Sequence, residues 1–204
     1  VAFGSRSSFD RPAGGGRRGG RGRDAPEGDP PEPPADPEQT ARQICLHQLE
    51  FAPRTRAELA VTLAKRGVPD DVAETVLGRF AEVGMIDDAL FSQMWVTSRH
   101  RGRGLAGRAL EQELRRKGVD DETAKTALDA LHPDEERATA RSLVERRLGA
   151  TRGLTTDARV RRLAGMLARK GYPAGVAFGV VREALAAEGA VVEIGFDELQ
   201  GLED

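Results

Sequence analysis

Apolar residues recur along this chain in short helical stripes, and each stripe stops at a glycine. Leu59 and Leu63 precede Arg66-Gly67, Leu110 and Leu114 precede Lys117-Gly118, and Leu163 and Leu167 precede Lys170-Gly171. Leucines at i and i+4 share one face of a helix, and a glycine just past the last turn can adopt the left-handed conformation that ends it. The three glycines stand 51 and 53 positions apart. Beyond them Val68, Val119 and Tyr172 hold one common offset, and the pairs Val76-Leu77, Ala127-Leu128 and Val180-Val181 hold another. A period of this length marks a repeated supersecondary unit.

Capping residues place the elements around these hinges. Asp36-Pro37-Glu38 reads as an N-cap, a first-turn proline and a first-turn acid, opening a helix whose stripe is Ile44, Leu46, Leu49 and Phe51. Thr55 and Glu58 have capping-box spacing, so a second helix begins at Arg56, and a third runs from about Pro69 to Val83, ended by Gly84. Asp87 caps a fourth helix, where Leu90, Phe91, Met94 and Trp95 read as one apolar stripe, with Asp88 as a first-turn acid. Helices from Leu105 to Lys117 and Asp121 to Leu131 follow, then one after Pro133, one from about Asp157 to Lys170, and one from Pro173 to Ala187.

The predicted fold is all-α: three tandem three-helix repeats in an elongated, curved array, with a disordered N-terminal tail. The expected boundaries are a tail over 1–36, repeats over 37–86, 87–132 and 133–188, and a C-terminal tail over 189–204. The first tail is Arg/Gly-rich and then Pro-rich and acidic, with too little to bury to offset the entropy of ordering it.

Composition narrows the chemistry. A net charge of −2 with 31% charged residues means that affinity for a polyanion must come from local clustering. The lone Cys45 excludes an intramolecular disulfide and is expected to be a buried thiol. No apolar run is long enough to span a bilayer, and a cytoplasmic protein is expected. His47, His100 and His132 share no ligand spacing with each other or with Cys45, so no metal, cofactor or catalytic residue is assigned. Clustering is strongest in "SRHRGRGLAGRALEQELRRKG", which carries Arg99, Arg101, Arg103, Arg108, Arg115, Arg116 and Lys117, and the third repeat adds Arg159, Arg161, Arg162, Arg169 and Lys170. Such density suits phosphate or an acidic protein surface.

The run "GMIDDALFSQMWVTSRHRGRGLAGRALEQELRRKGV", set between the other Lys/Arg-Gly hinges, resembles the RecX family of bacterial regulators of the RecA recombinase. The shared features are Gly84, Ile86, Asp87-Asp88, Phe91, Trp95, Arg99, Gly104, Glu113-Leu114 and Lys117-Gly118-Val119, with Gly67 and Gly171 at the flanking hinges. The likeness covers about residues 40–187, and Arg66 departs from the usual hinge lysine. The Arg, Ala and Gly bias is similar to that of actinobacterial proteins. The resemblance implies a monomeric, non-enzymatic protein that binds RecA and RecA–DNA filaments and inhibits recombinase, ATPase and coprotease activity. Arg99, Arg101, Arg103, Arg108, Arg115, Arg116, Lys117, Arg162, Arg169 and Lys170 are the candidate contacts to filament or DNA phosphate, single- or double-stranded. Two other readings are a helix-turn-helix DNA-binding regulator and a nucleic-acid module led by the Arg/Gly tail.

Overall fold

The structure, a computed structural model, describes residues 34–189. The tail expected over 1–36 falls outside these except for its last three residues, as does the tail after Gly189. The described residues form nine α-helices and no strand: α1 Pro37–Phe51, α2 Arg56–Ala64, α3 Asp70–Glu82, α4 Asp88–Arg103, α5 Gly107–Arg116, α6 Asp121–Asp129, α7 Pro133–Leu148, α8 Thr156–Ala168 and α9 Ala174–Ala187.

Local chemistry sets the helix ends. Asp36 accepts from the Gln39 amide at 2.9 Å, the capping box of Thr55 and Glu58 is formed in both directions, and Asp87 accepts from the Leu90 amide. At each Lys/Arg-Gly hinge the glycine is left-handed, with φ of 72° at Gly67, 74° at Gly118 and 90° at Gly171. The residue after it folds its amide back to the hinge leucine: Val68 to Leu63, Val119 to Leu114 and Tyr172 to Leu167, each at 3.2 Å. That bond closes a Schellman cap and buries the residue that makes it.

Each triplet has its own core. The third helix of each packs against both others, so α3 meets α1 and α2, α6 meets α4 and α5, and α9 meets α7 and α8. The six hinge leucines are at most 1% exposed, each worth roughly 1.5–3 kcal/mol of burial. Ala106 crosses this division: it caps α5 of the second repeat but is fully buried in the core of the third.

Two stripes differ from expectation. On α1 the buried residues are Ala41 and Cys45, whereas Leu46 is 44% and Phe51 69% exposed. Small residues face the neighbouring helices here, and Phe51 lies past the core on the helix's last turn, edge-on to His47. On α4 the inward face is Phe91, Ser92, Val96 and His100; Leu90 and Met94 lie on the opposite side of the helical wheel and are exposed. Trp95 is half-buried rather than a filled core residue, stacked on Phe91 at 5.5 Å with its indole N–H donated to Glu113. The fifth helix starts two residues later than expected: Ala106 is its extended N-cap, with φ −96° and ψ 171°, and its amide donates to the Lys170 carbonyl of the third repeat.

Candidate anion-binding cleft

The hinges are where the repeats meet. In both joints the N-terminus of a middle helix docks on the hinge of the next repeat. At the first joint, the Arg56 amide donates to Asp88 Oδ1 at 2.9 Å and the Thr55 hydroxyl to the Lys117 carbonyl at 2.6 Å. At the second, the Gly107 amide donates to Glu136 Oε1 at 2.6 Å and the Ala106 amide to the Lys170 carbonyl at 2.9 Å. Thr55 and Ala106 both stand twelve residues before their own hinge glycine, so the two joints use the same positions. An acid on the next repeat's first helix takes the first amide of the docked helix, and the hinge carbonyl takes a donor from its cap.

Close approach explains the glycines as much as the turn does. A Cβ on Gly118 would lie 2.3 Å from the Ala57 Cβ, and one on Gly171 would lie 2.5 Å from the Ala109 nitrogen. His100 fastens the second joint further. Its Nδ1 lies 2.8 Å from the Leu105 carbonyl, which can only accept, so Nδ1 carries a proton, and Nε2 lies within hydrogen-bond distance of the Thr139 hydroxyl at 2.9 Å. Tyr172 donates to the Gly104 carbonyl across the same seam, and burial pushes its hydroxyl pKa up.

The candidate cations fall into two groups. Around the first joint Lys117, Arg99 and Arg115 are matched by acids or rings. Lys117 Nζ lies 2.7 Å from Glu58 and over the Trp95 ring at 4.3 Å, and Arg99 lies over the same ring at 4.1 Å and 3.6 Å from Glu113. Arg115 pairs with Glu111 and Asp121, both at 3.0 Å, and Arg116 reaches Gln112. Arg108, exposed on α5, lies instead beside the second joint, where it lines a small cavity with Arg169, Gly171 and Tyr172. Asp88, held by the Arg56 amide, has its carboxyl pKa raised by burial first, and Asp120 adds to the rise.

Around the second joint the cations converge instead. Arg101, Arg103, Arg162, Arg169 and Lys170 line one cleft of about 870 Å³, together with Arg146 and Arg147 from the last turn of α7. Leu105, Leu143, Leu163 and Met166 supply its apolar floor, and no Asp or Glu lines it among the described residues. Lys170 reaches the Arg103 carbonyl at 2.5 Å. Its pKa is lowered by burial first and then by Arg146, Arg103 and Arg147, because neighbouring positive charge disfavours the protonated lysine.

Sequence reasoning located five of these seven cations but missed Arg146 and Arg147. The available signal was a basic doublet ending a helix, as Arg115-Arg116 does in the second repeat. Arg159, counted with the basic run of the third repeat, is buried: it bonds Thr151 Oγ1 at 3.1 Å and pairs with Glu188. Among the described residues no group of three or more His, Cys, Asp or Glu could hold a metal, and no helix is long and apolar enough to cross a membrane.

Comparison with known proteins places this architecture. Models of the first, second and third three-helix domains of RecX match residues 41–80, 87–128 and 134–181. A protein named Regulatory protein RecX from Thermobifida fusca is 57% identical over 176 residues, covering 86% of this chain and 95% of its own. Its namesake from Streptomyces coelicolor is 57% identical over 162 residues, 79% of this chain and 86% of its own. The crystal structure of RecX from Lactobacillus salivarius superimposes with a TM-score of 0.68 at 18% identity, over 73% of this chain and 97% of that one, a likeness of fold. From three matched domains in order, and relatives this similar over most of their length, the chain belongs to the RecX family of regulatory proteins.

Proposed function

We propose that this protein binds the RecA recombinase and its nucleoprotein filament and restrains it, lowering ATP hydrolysis, strand exchange and coprotease activity without performing a reaction of its own. It acts as a monomer in the cytoplasm. The observation that carries this reading is the cleft between the second and third repeats: a concentration of cations on a chain whose net charge is −2. A recombinase filament on DNA offers what such a cleft selects, extended negative charge from nucleic-acid phosphate or from acidic protein surface. Tandem repeats support the same reading, because they present successive faces along a long partner.

Direct reading of DNA sequence by a helix-turn-helix has less support. The third helices of the first two repeats carry acids on their exposed faces, Asp70, Asp71 and Glu74 on α3 and Asp121, Glu122 and Asp129 on α6, which phosphate would repel. The test is single-strand-dependent ATP hydrolysis by purified RecA with increasing amounts of this protein. A saturable fall in rate is expected; an unchanged rate at saturating protein contradicts the proposal.

A further inference from the structure

Residues 190–204, "AVVEIGFDELQGLED", carry five acids and no lysine or arginine, with Val191, Val192, Ile194 and Phe196 interleaved among the first of them. They follow α9, whose end is anchored beside the cleft. Glu188 pairs with Arg159 and, at 3.1 Å, with Arg152; Arg159 in turn bonds the hydroxyl of Thr151, and Thr151 lines the cleft. The last described turn thus ends two side chains, those of Glu188 and Arg159, from a residue that lines the cleft. Fifteen residues can extend about 50 Å, ample to cross a cavity of this size.

We propose that this acidic segment is an intramolecular ligand of the cationic cleft and competes there with the protein's anionic partner. Its composition complements the site twice over: carboxylates for Arg101, Arg146, Arg147, Arg162 and Arg169, and apolar side chains for the floor of Leu105, Leu143, Leu163 and Met166. Tethering makes the encounter intramolecular, at an effective concentration on the order of millimolar, so contacts too weak to hold a separate peptide suffice. Occupancy of about 90% would leave the cleft open about a tenth of the time, weakening the partner's apparent affinity about tenfold. Competition rests on the cleft being the partner site proposed above; occupancy by the segment does not.

A nitroxide at Gln200→Cys in the full chain tests occupancy without any recombinase. Cys45 can stay, being fully buried and out of reach of the label. Amide signals of Gly102, Arg147 and Arg162 should broaden at low salt, and recover in about 1 M salt, where the screening length falls to about 3 Å. They should also recover in Arg147→Glu/Arg162→Glu. Broadening absent from the cleft, or centred on the exposed Leu46, Phe51 and Met85 of the first repeat, overturns the inference. Competition is read separately, with the full-length variant Glu193→Gln/Asp197→Asn/Glu198→Gln. It should inhibit recombinase ATP hydrolysis at about tenfold lower concentration than the parent, and an unchanged concentration refutes the competition. An unbroadened cleft that binds oligothymidylate equally in parent and neutral variant would assign it to a nucleic-acid strand alone, and that too refutes the inference.

Discussion

The two joints share a backbone plan and differ in electrostatics. Each presses the start of a middle helix onto a Lys-Gly hinge, and each gives the first helical amide to an acid of the next repeat. Glu58 stands nine residues before the first hinge glycine and neutralises Lys117; the same position in the second repeat is Ala109, and Lys170 turns to a carbonyl instead. One exchange of carboxylate for methyl thus separates a closed ion pair from a lysine that contributes to an open cationic cleft. Repeated hinges serve first as mortise points between repeats, and only where the counter-ion is missing do they add to a binding surface. Arg66 fits this pattern: it belongs to the first repeat, ahead of which no other repeat stands among the described residues, and it is exposed.

Substituting the hinge glycines should do the greatest damage. Gly118→Ala or Gly171→Ala puts an L side chain at positive φ and drives its Cβ into the docked helix, for a combined loss of about 2–4 kcal/mol in urea unfolding. Gly84→Ala has similar φ but nothing within 4 Å of the added carbon, so about 1–2 kcal/mol is expected. Equal losses at all three positions would mean that close approach at the joints contributes nothing. Trp95→Ala removes a half-buried ring that Arg99 and Lys117 both cover, and should cost about 2–3 kcal/mol, below the range for a fully enclosed tryptophan.

Thr55→Val keeps the shape but removes both the cap of α2 and the bond to the Lys117 carbonyl, a change of about 1–2 kcal/mol that Ala106→Val cannot mimic by the same route. A Thr55→Val protein as stable as the parent would remove the hydroxyl from the account of the first joint. The smallest effect is a pH dependence at the end of α9. The hydrogen bond from Arg159 holds the Glu188 carboxyl below its ordinary value of 4.5, so the unfolded chain binds the proton more readily than the folded one. This contribution is therefore complete above about pH 4.5 and is lost as pH falls through the lowered native value. Glu188→Gln should flatten that part of the acid-unfolding curve, and an unaltered curve would separate Glu188 from acid stability.

What was legible in the sequence was local. Caps at Asp36, Thr55 and Asp87, and left-handed glycines at 67, 118 and 171, are decided within four or five residues, and each appears where the pattern puts it. The stripes were read less well, because an apolar residue at helical spacing can stand on the outer face as well as the inner one, as Leu46, Leu90 and Met94 do. The joints were not legible. Asp88 looks complete as a first-turn acid, and its bond to the Arg56 amide, 32 residues away, exists only once two repeats are packed. Nor could charge counting separate Arg115, which two acids neutralise, from Arg147, which lines a cleft free of described acids. Density of arginine along the chain points to a region; only packing shows which of its charges remain uncompensated.

The most direct measurement sets two charge reversals against each other in the recombinase ATP-hydrolysis assay, with helicity checked by circular dichroism. Arg147→Glu/Arg162→Glu, in the cleft at the second joint, should raise the concentration needed for half-inhibition by about tenfold or more. Arg115→Glu/Arg116→Glu, at the end of α5 where two acids pair with Arg115 and Arg116 lies outside the cleft, should shift it by less than about twofold. Equal shifts, or a larger one from the second pair, would contradict the assignment of the cleft as the partner site.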